Sequence, residues 1–114
     1  MILTSYFANK SIRDTGLRLV AVSLSVPRGF LCERYTALAP SRALINLAHD
    51  GRTDEYTRLY DEQVLSRLDP LKVYTELDGS ILLCWEKAGK FCHRRLIADW
   101  LEKATGYDVK ELGT

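Results

Sequence analysis

Two short, almost unbroken apolar runs limit the fold more than any other feature: Leu19–Val22 within "LRLVAVSLSV" and Ile81–Cys84 within "SILLCW". A strand with one wet face alternates apolar and polar residues. A run without alternation suits a strand covered on both faces, the situation inside a parallel sheet. "MILTSYF" reads as the first strand, these runs as the second and third, and "YDVKEL" as the last. Between them lie segments with helical spacing. "PSRALINLAHDG" places Pro40 at a helix start and Gly51 past its end. "TDEYTRLYDEQVLSRL" has Thr53 as a cap and a stripe of Tyr56, Leu59, Tyr60, Val64 and Leu68. Asp69-Pro70 opens a short helix through Leu77, and residues 92–104 form another, with a buried stripe of Leu96, Ile97, Trp100, Leu101 and Ala104, closed by Gly106. "NKSIRDTG" reads as a turn or brief helix, and "RGFLCERYTALA" as a loop. Strands separated by helices predict a mostly parallel sheet covered by helices. The expectation is one small three-layer α/β domain over residues 1–114.

Composition narrows the functions. With 16 Lys+Arg against 15 Asp+Glu the formal charge is +1, which argues against a broad nucleic-acid-binding surface but leaves room for a local basic pocket. No run approaches the roughly 18 apolar residues of a membrane span. The first residues lack the pattern of a secretory signal. Three cysteines, an odd number, then predict reduced thiols in a cytoplasmic protein with no membrane partner.

The chemistry concentrates in "CWEKAGKFCHRRLIADWL", residues 84–101. In open α/β sheets ligands sit at the carboxyl ends of strands, beside helix starts. Cys84, Trp85 and Glu86 follow the third strand, and Cys92, His93 and Arg94 begin the next helix. A thiol at a helix start has its thiolate favoured by free amides and neighbouring arginines, here Arg94 or Arg95. The same amides bind phosphate or carboxylate. His93 and Glu86 are candidate proton carriers. The ordinary alternatives stand beside these roles: Cys84 as core, Glu86 pairing with Lys90, and the arginines as solvated surface. Cys92 and His93, as neighbours on a helix, would point about 100° apart. A zinc site drawing on Cys84, Cys92 and His93 with Cys32 or His49 is disfavoured by that divergence and by spacing unlike a finger or ribbon. Neither metal nor cofactor is therefore expected. Tyr56 and Tyr60 read as core residues whose hydroxyls reach toward a pocket or are packed away. His49 reads as a partner for a helix C-terminus.

"ILLCWEKAGKFCHRRLIADWL" resembles the C-terminal signature of the domain of unknown function 488 family, with its Cys-x7-Cys-His-Arg core. "ILTSYF", "VAVSLSVPRGF" and the central "DEYTRLYDEQVLSRLD" are similar to the family as well, so the likeness spans nearly the whole chain. It implies a compact α/β domain of bacteria and their phages, with no settled reaction. Carried across, it marks Ser5 and Tyr6 after strand one, Ser23, Ser25 and Arg28 after strand two, and Cys84, Glu86, Cys92, His93 and Arg94. The serines serve equally as β-residues bonded to local backbone. Two functions remain open. One is an enzyme on an anionic, nucleotide-like or nucleic-acid-derived substrate, with Arg94 and Arg28 holding the anion and Cys92, His93 and Glu86 as reacting groups. The other is a non-catalytic module for such a ligand or a protein, with structural cysteines.

Overall fold

The computed structural model describes residues 1–113. Five parallel strands form one sheet in the order β3-β2-β4-β1-β5. They are β1 (Ile2–Tyr6), β2 (Arg18–Ala21), β3 (Glu33–Arg34), β4 (Ser80–Cys84) and β5 (Val109–Glu111). Four α-helices accompany them: α1 (Arg42–His49), α2 (Thr53–Gln63), α3 (Pro70–Leu77) and α4 (His93–Thr105). Central β4 is buried at all five positions, which accounts for its lack of alternation.

The connections sort by direction. Those running toward the β3 edge, from β1 to β2 and from β2 to β3, cross one face through a 3-10 helix (Ile12–Thr15) and a long loop. Their Ile12, Val26 and Phe30 pack on Ala21, Ile81 and Leu83. Those running back, from β3 to β4 and from β4 to β5, carry all four α-helices. Leu44, Tyr60, Val73, Leu77, Ile97 and Leu101 form one core with Ile2, Val20, Val22, Leu82 and Val109. Opposite directions on opposite faces are what a single crossover handedness requires. The result is a small three-layer α/β domain whose second covering layer is mostly loop. Each fully buried aliphatic of the main core stabilises it by roughly 1.5–3 kcal/mol. Among the described residues no helix is long and apolar enough to cross a membrane.

Local chemistry moved several boundaries. Ser41, not Pro40, caps the start of α1: its hydroxyl accepts from the Leu44 amide at 3.2 Å. Arg52 precedes α2, so Thr53 is its first residue rather than its cap. That helix stops at Gln63 and continues as a 3-10 turn at Leu65–Arg67. Asp69 and Pro70 open α3 as expected, with the Asp69 carboxylate accepting from Leu71 at 3.0 Å. The segment expected as loop contains β3 and a 3-10 turn at Thr36–Leu38. Ala104, expected on the buried stripe of α4, is exposed.

Candidate active site

Strands β2 and β4 are neighbours whose outgoing chains leave in opposite directions, which opens a crevice at their carboxyl ends. A cleft of about 270 Å³ lies there. Its floor is Cys84 at the end of β4 with Cys92 and His93 at the start of α4. Ser23, Leu24 and Ser25 from beyond β2 and Trp85 and Glu86 from beyond β4 border it. Arg42, Ile45 and His49 of α1, Tyr56 of α2, and Phe91 also line it. Trp85 is 51% exposed, yet its indole nitrogen donates to the Ser25 carbonyl at 3.0 Å, and its ring meets Phe7 edge-on at 5.4 Å. Phe91 stands edge-on to Tyr56 at 5.1 Å, so the wall is aromatic and braced.

The floor is tightly organised. Cys92 caps α4 in an extended conformation (φ −154°, ψ 141°), so it does not share the helical spacing of His93. The expected divergence of the two side chains is thereby removed. Cys92 Sγ lies 3.8 Å from His93 Nδ1. The other ring nitrogen, Nε2, donates to the Val22 carbonyl at 2.7 Å. Burial, partly opposed by that bond and aided by the Arg94 charge, lowers the His93 pKa to about 4. The ring is therefore neutral at physiological pH, with its one proton on Nε2, and it takes up a second proton only at far lower pH than a free imidazole does. Cys84 and Cys92 are joined by a disulfide, and the expectation of three reduced thiols is met only at Cys32. The sheet and the start of α4 bring the two sulfurs together across only eight residues.

Beneath the floor lies Arg94, 1% exposed. It donates to both carboxylate oxygens of Glu111, from Nε at 3.0 Å and Nη2 at 2.7 Å, and from Nη1 to Cys84 Sγ at 3.0 Å. Burial raises the Glu111 pKa, but bonds from Arg94 and Thr4 and the charges of Arg94 and Arg95 outweigh it, and the net shift is downward. Arg95 donates to Thr4 and to the Val109 carbonyl, completing the support.

The structure therefore gathers Cys84, Glu86, Cys92, His93, Ser23, Ser25 and Tyr56 at one cleft. It does not bring four other residues there. Arg94 is committed to Glu111 and Cys84 and does not line the cleft, so it is no anion clamp within it. Arg28 is exposed on the loop beyond β2 and is not part of the lining. Ser5 and Tyr6 end β1, on the far side of β4, where their hydroxyls donate to the carbonyls of Leu112 and Gly113. Asn9 binds the same Ser5 hydroxyl. Ser23 donates to the Ser25 carbonyl, the local backbone bonding foreseen for it. Tyr60 is core, its hydroxyl bonded to the Leu38 carbonyl at 2.6 Å. Arg42, Trp85 and Phe91 were missed as lining residues. Arg42 sits in "SRALINLAH", whose helical spacing carries no sign of which face meets a strand end.

The family model described as "Active DUF488-N3 subclade" matches residues 2–105. The chain belongs to the domain of unknown function 488 family. No curated protein and no solved structure matches it.

Proposed function

We propose that this member of the domain of unknown function 488 family is an enzyme acting on a small anionic, nucleotide-like substrate in the β2–β4 cleft. One observation carries the reading: two sulfurs and an imidazole from separate elements converge on the floor of a cleft at the carboxyl edge of a parallel sheet. Such edges are where α/β folds hold ligands. The reaction is acid-base or thiol chemistry at that floor, with the pair Cys84 and Cys92 reduced, as in a cytoplasm. Trp85 and Phe91 offer faces for a planar ring, and Arg42 supplies positive charge for the anion. Glu86 is the carboxylate in the cleft suited to proton transfer. The word "active" in the matched description is said of the subclade and agrees with an enzyme. A second reading, a binding module with structural cysteines, is favoured by the Cys84–Cys92 bond.

The test is binding of a panel of nucleoside monophosphates to the reduced protein, followed by calorimetry. Binding is expected to weaken about fivefold or more in Arg42→Ala and Trp85→Ala, because a charge-assisted bond or a stacked ring contributes about 1–3 kcal/mol. Arg28→Ala, outside the cleft, should bind as the wild type does. Equal weakening in all three variants, or no binding by the wild type, overturns the reading. Binding with no turnover of any ligand selects the binding module.

A further inference from the structure

We propose that the reduced Cys84–Cys92–His93 cluster is a binding site for a thiophilic divalent cation of the zinc class, with its fourth coordination position open to the cleft. The inference rests on the reading of that cluster as the reaction centre and says what kind of centre it is.

The donors have the right chemistry, and Cys92 and His93 have the right spacing. Two thiolates and one imidazole form a Cys2His set, which in catalytic zinc sites leaves a fourth position for water or substrate. Around a tetrahedral ion with bonds of about 2.3 Å to sulfur and 2.0–2.1 Å to nitrogen, neighbouring donors lie roughly 3.6–3.8 Å apart. Cys92 Sγ and His93 Nδ1 are 3.8 Å apart, and the three donor atoms fall within 4.8 Å of one another. The Cα atoms of Cys84 and Cys92 are 7.5 Å apart. Disulfides usually hold Cα atoms about 4.4–6.8 Å apart. The backbone thus sets the two cysteines at a wider spacing than disulfides usually use, and reduction frees the two sulfurs to separate around an ion.

The imidazole is already oriented for the task. The Val22 carbonyl can only accept, so Nε2 carries the proton and, in the neutral ring, Nδ1 turns a bare lone pair toward Cys92. A ring nitrogen donating to a backbone carbonyl is the recurrent second contact of metal-bound histidines, fixing tautomer and ring plane. Arg94 plays the corresponding part for sulfur through its bond to Cys84 Sγ. Its own charge is balanced by Glu111, which leaves two thiolates to match a dication. Cys92, His93 and Cys84 all line the cleft, so the open position faces any ligand held there. This answers the objection drawn from the sequence, because extended Cys92 lets two adjacent residues converge.

Cobalt(II) is the probe, added without oxygen to protein reduced and freed of metal, with zinc then added in competition. The expected result is one cobalt per chain, with sulfur-to-cobalt charge-transfer bands and the visible bands of a tetrahedral ion, all removed by zinc. Cys84→Ser and Cys92→Ser should each halve the charge-transfer intensity, and Cys32→Ser should leave it unchanged. Azide should shift the visible bands by entering the fourth position. The proposal is overturned if the folded, reduced wild type binds no stoichiometric cobalt while both thiols titrate as free. It is also overturned if loss of Cys32 matters as much as loss of Cys84. Because the wild type decides, a cysteine variant that fails to fold does not blur the result. Nucleotide binding that depends on Arg42 and Trp85 without any cobalt site would sink the metal and leave the proposed function standing.

Discussion

Replacing Glu111 with Gln tests whether the support beneath the floor is as built as its geometry indicates. The substitution keeps size and one acceptor oxygen but removes the charge facing Arg94, which is 1% exposed. Removing one partner of a buried ion pair costs about 3–5 kcal/mol, because the other charge is left without compensation. Glu111 keeps 19% of its side-chain surface, so water offsets part of the loss and the lower figure of about 3 kcal/mol is expected. For a domain of this size each kcal/mol moves the midpoint by about 4 °C, giving a Tm lower by about 12 °C. Urea titration should show a lower midpoint at an unchanged slope. Pairing Glu111→Leu with Arg94→Met removes both charges and should recover much of the loss. The acid limb should change as well. The Glu111 carboxyl is more acidic folded than unfolded, so its contribution is complete above the unfolded value of 4.5 and is lost as pH falls through the lower folded value. Glu111→Gln should flatten that part of the curve. A Tm within about 2 °C of the wild type, with an unaltered acid limb, would refute the reasoning.

Two further outcomes follow from the core. In metal-free protein, His93 titrates near 6.5 when unfolded and about 4 when folded. The unfolded chain therefore takes up the proton first, and stability falls by about 3 kcal/mol as pH drops from above 6.5 to 4, a loss that chemical denaturation at several pH values would register; a flat profile there would contradict it. Tyr60→Phe deletes the hydroxyl bonded to the Leu38 carbonyl and leaves that acceptor buried, so equilibrium unfolding should show a loss of about 1–2 kcal/mol; an unchanged stability would place the hydroxyl elsewhere.

Much of the fold was legible because burial imposes its own patterns. The unbroken run at β4 reports a strand covered on both faces, and Asp69-Pro70 reports a helix start through a side chain bonded within two residues. Where the deciding contact is distant, the pattern was silent. Glu111 sits in a short edge strand and is the partner of Arg94, 17 residues earlier, and nothing local announces the pairing. Arg94 looked like an anion clamp because a helix start attracts anions; its side chain instead turns inward to Glu111 and Cys84. The cluster was visible as residue types, but its convergence was not. It depends on Cys92 being extended at the helix cap and on the Val22 carbonyl orienting the imidazole. Ser5 and Tyr6 share the sheet edge with Cys84, as parallel strands require, but the order of strands puts them beyond β4.

The most direct measurement of the central claim is alkylation of the reduced protein across pH, with each cysteine identified by mass spectrometry and nucleoside monophosphates present or absent. The account predicts that Cys92, at the cleft floor, labels in the folded protein and that a bound nucleotide slows it, while Cys32 is indifferent to the nucleotide. Labelling of Cys84 and Cys92 only on unfolding, or labelling that no nucleotide slows, would contradict a reaction centre in that cleft.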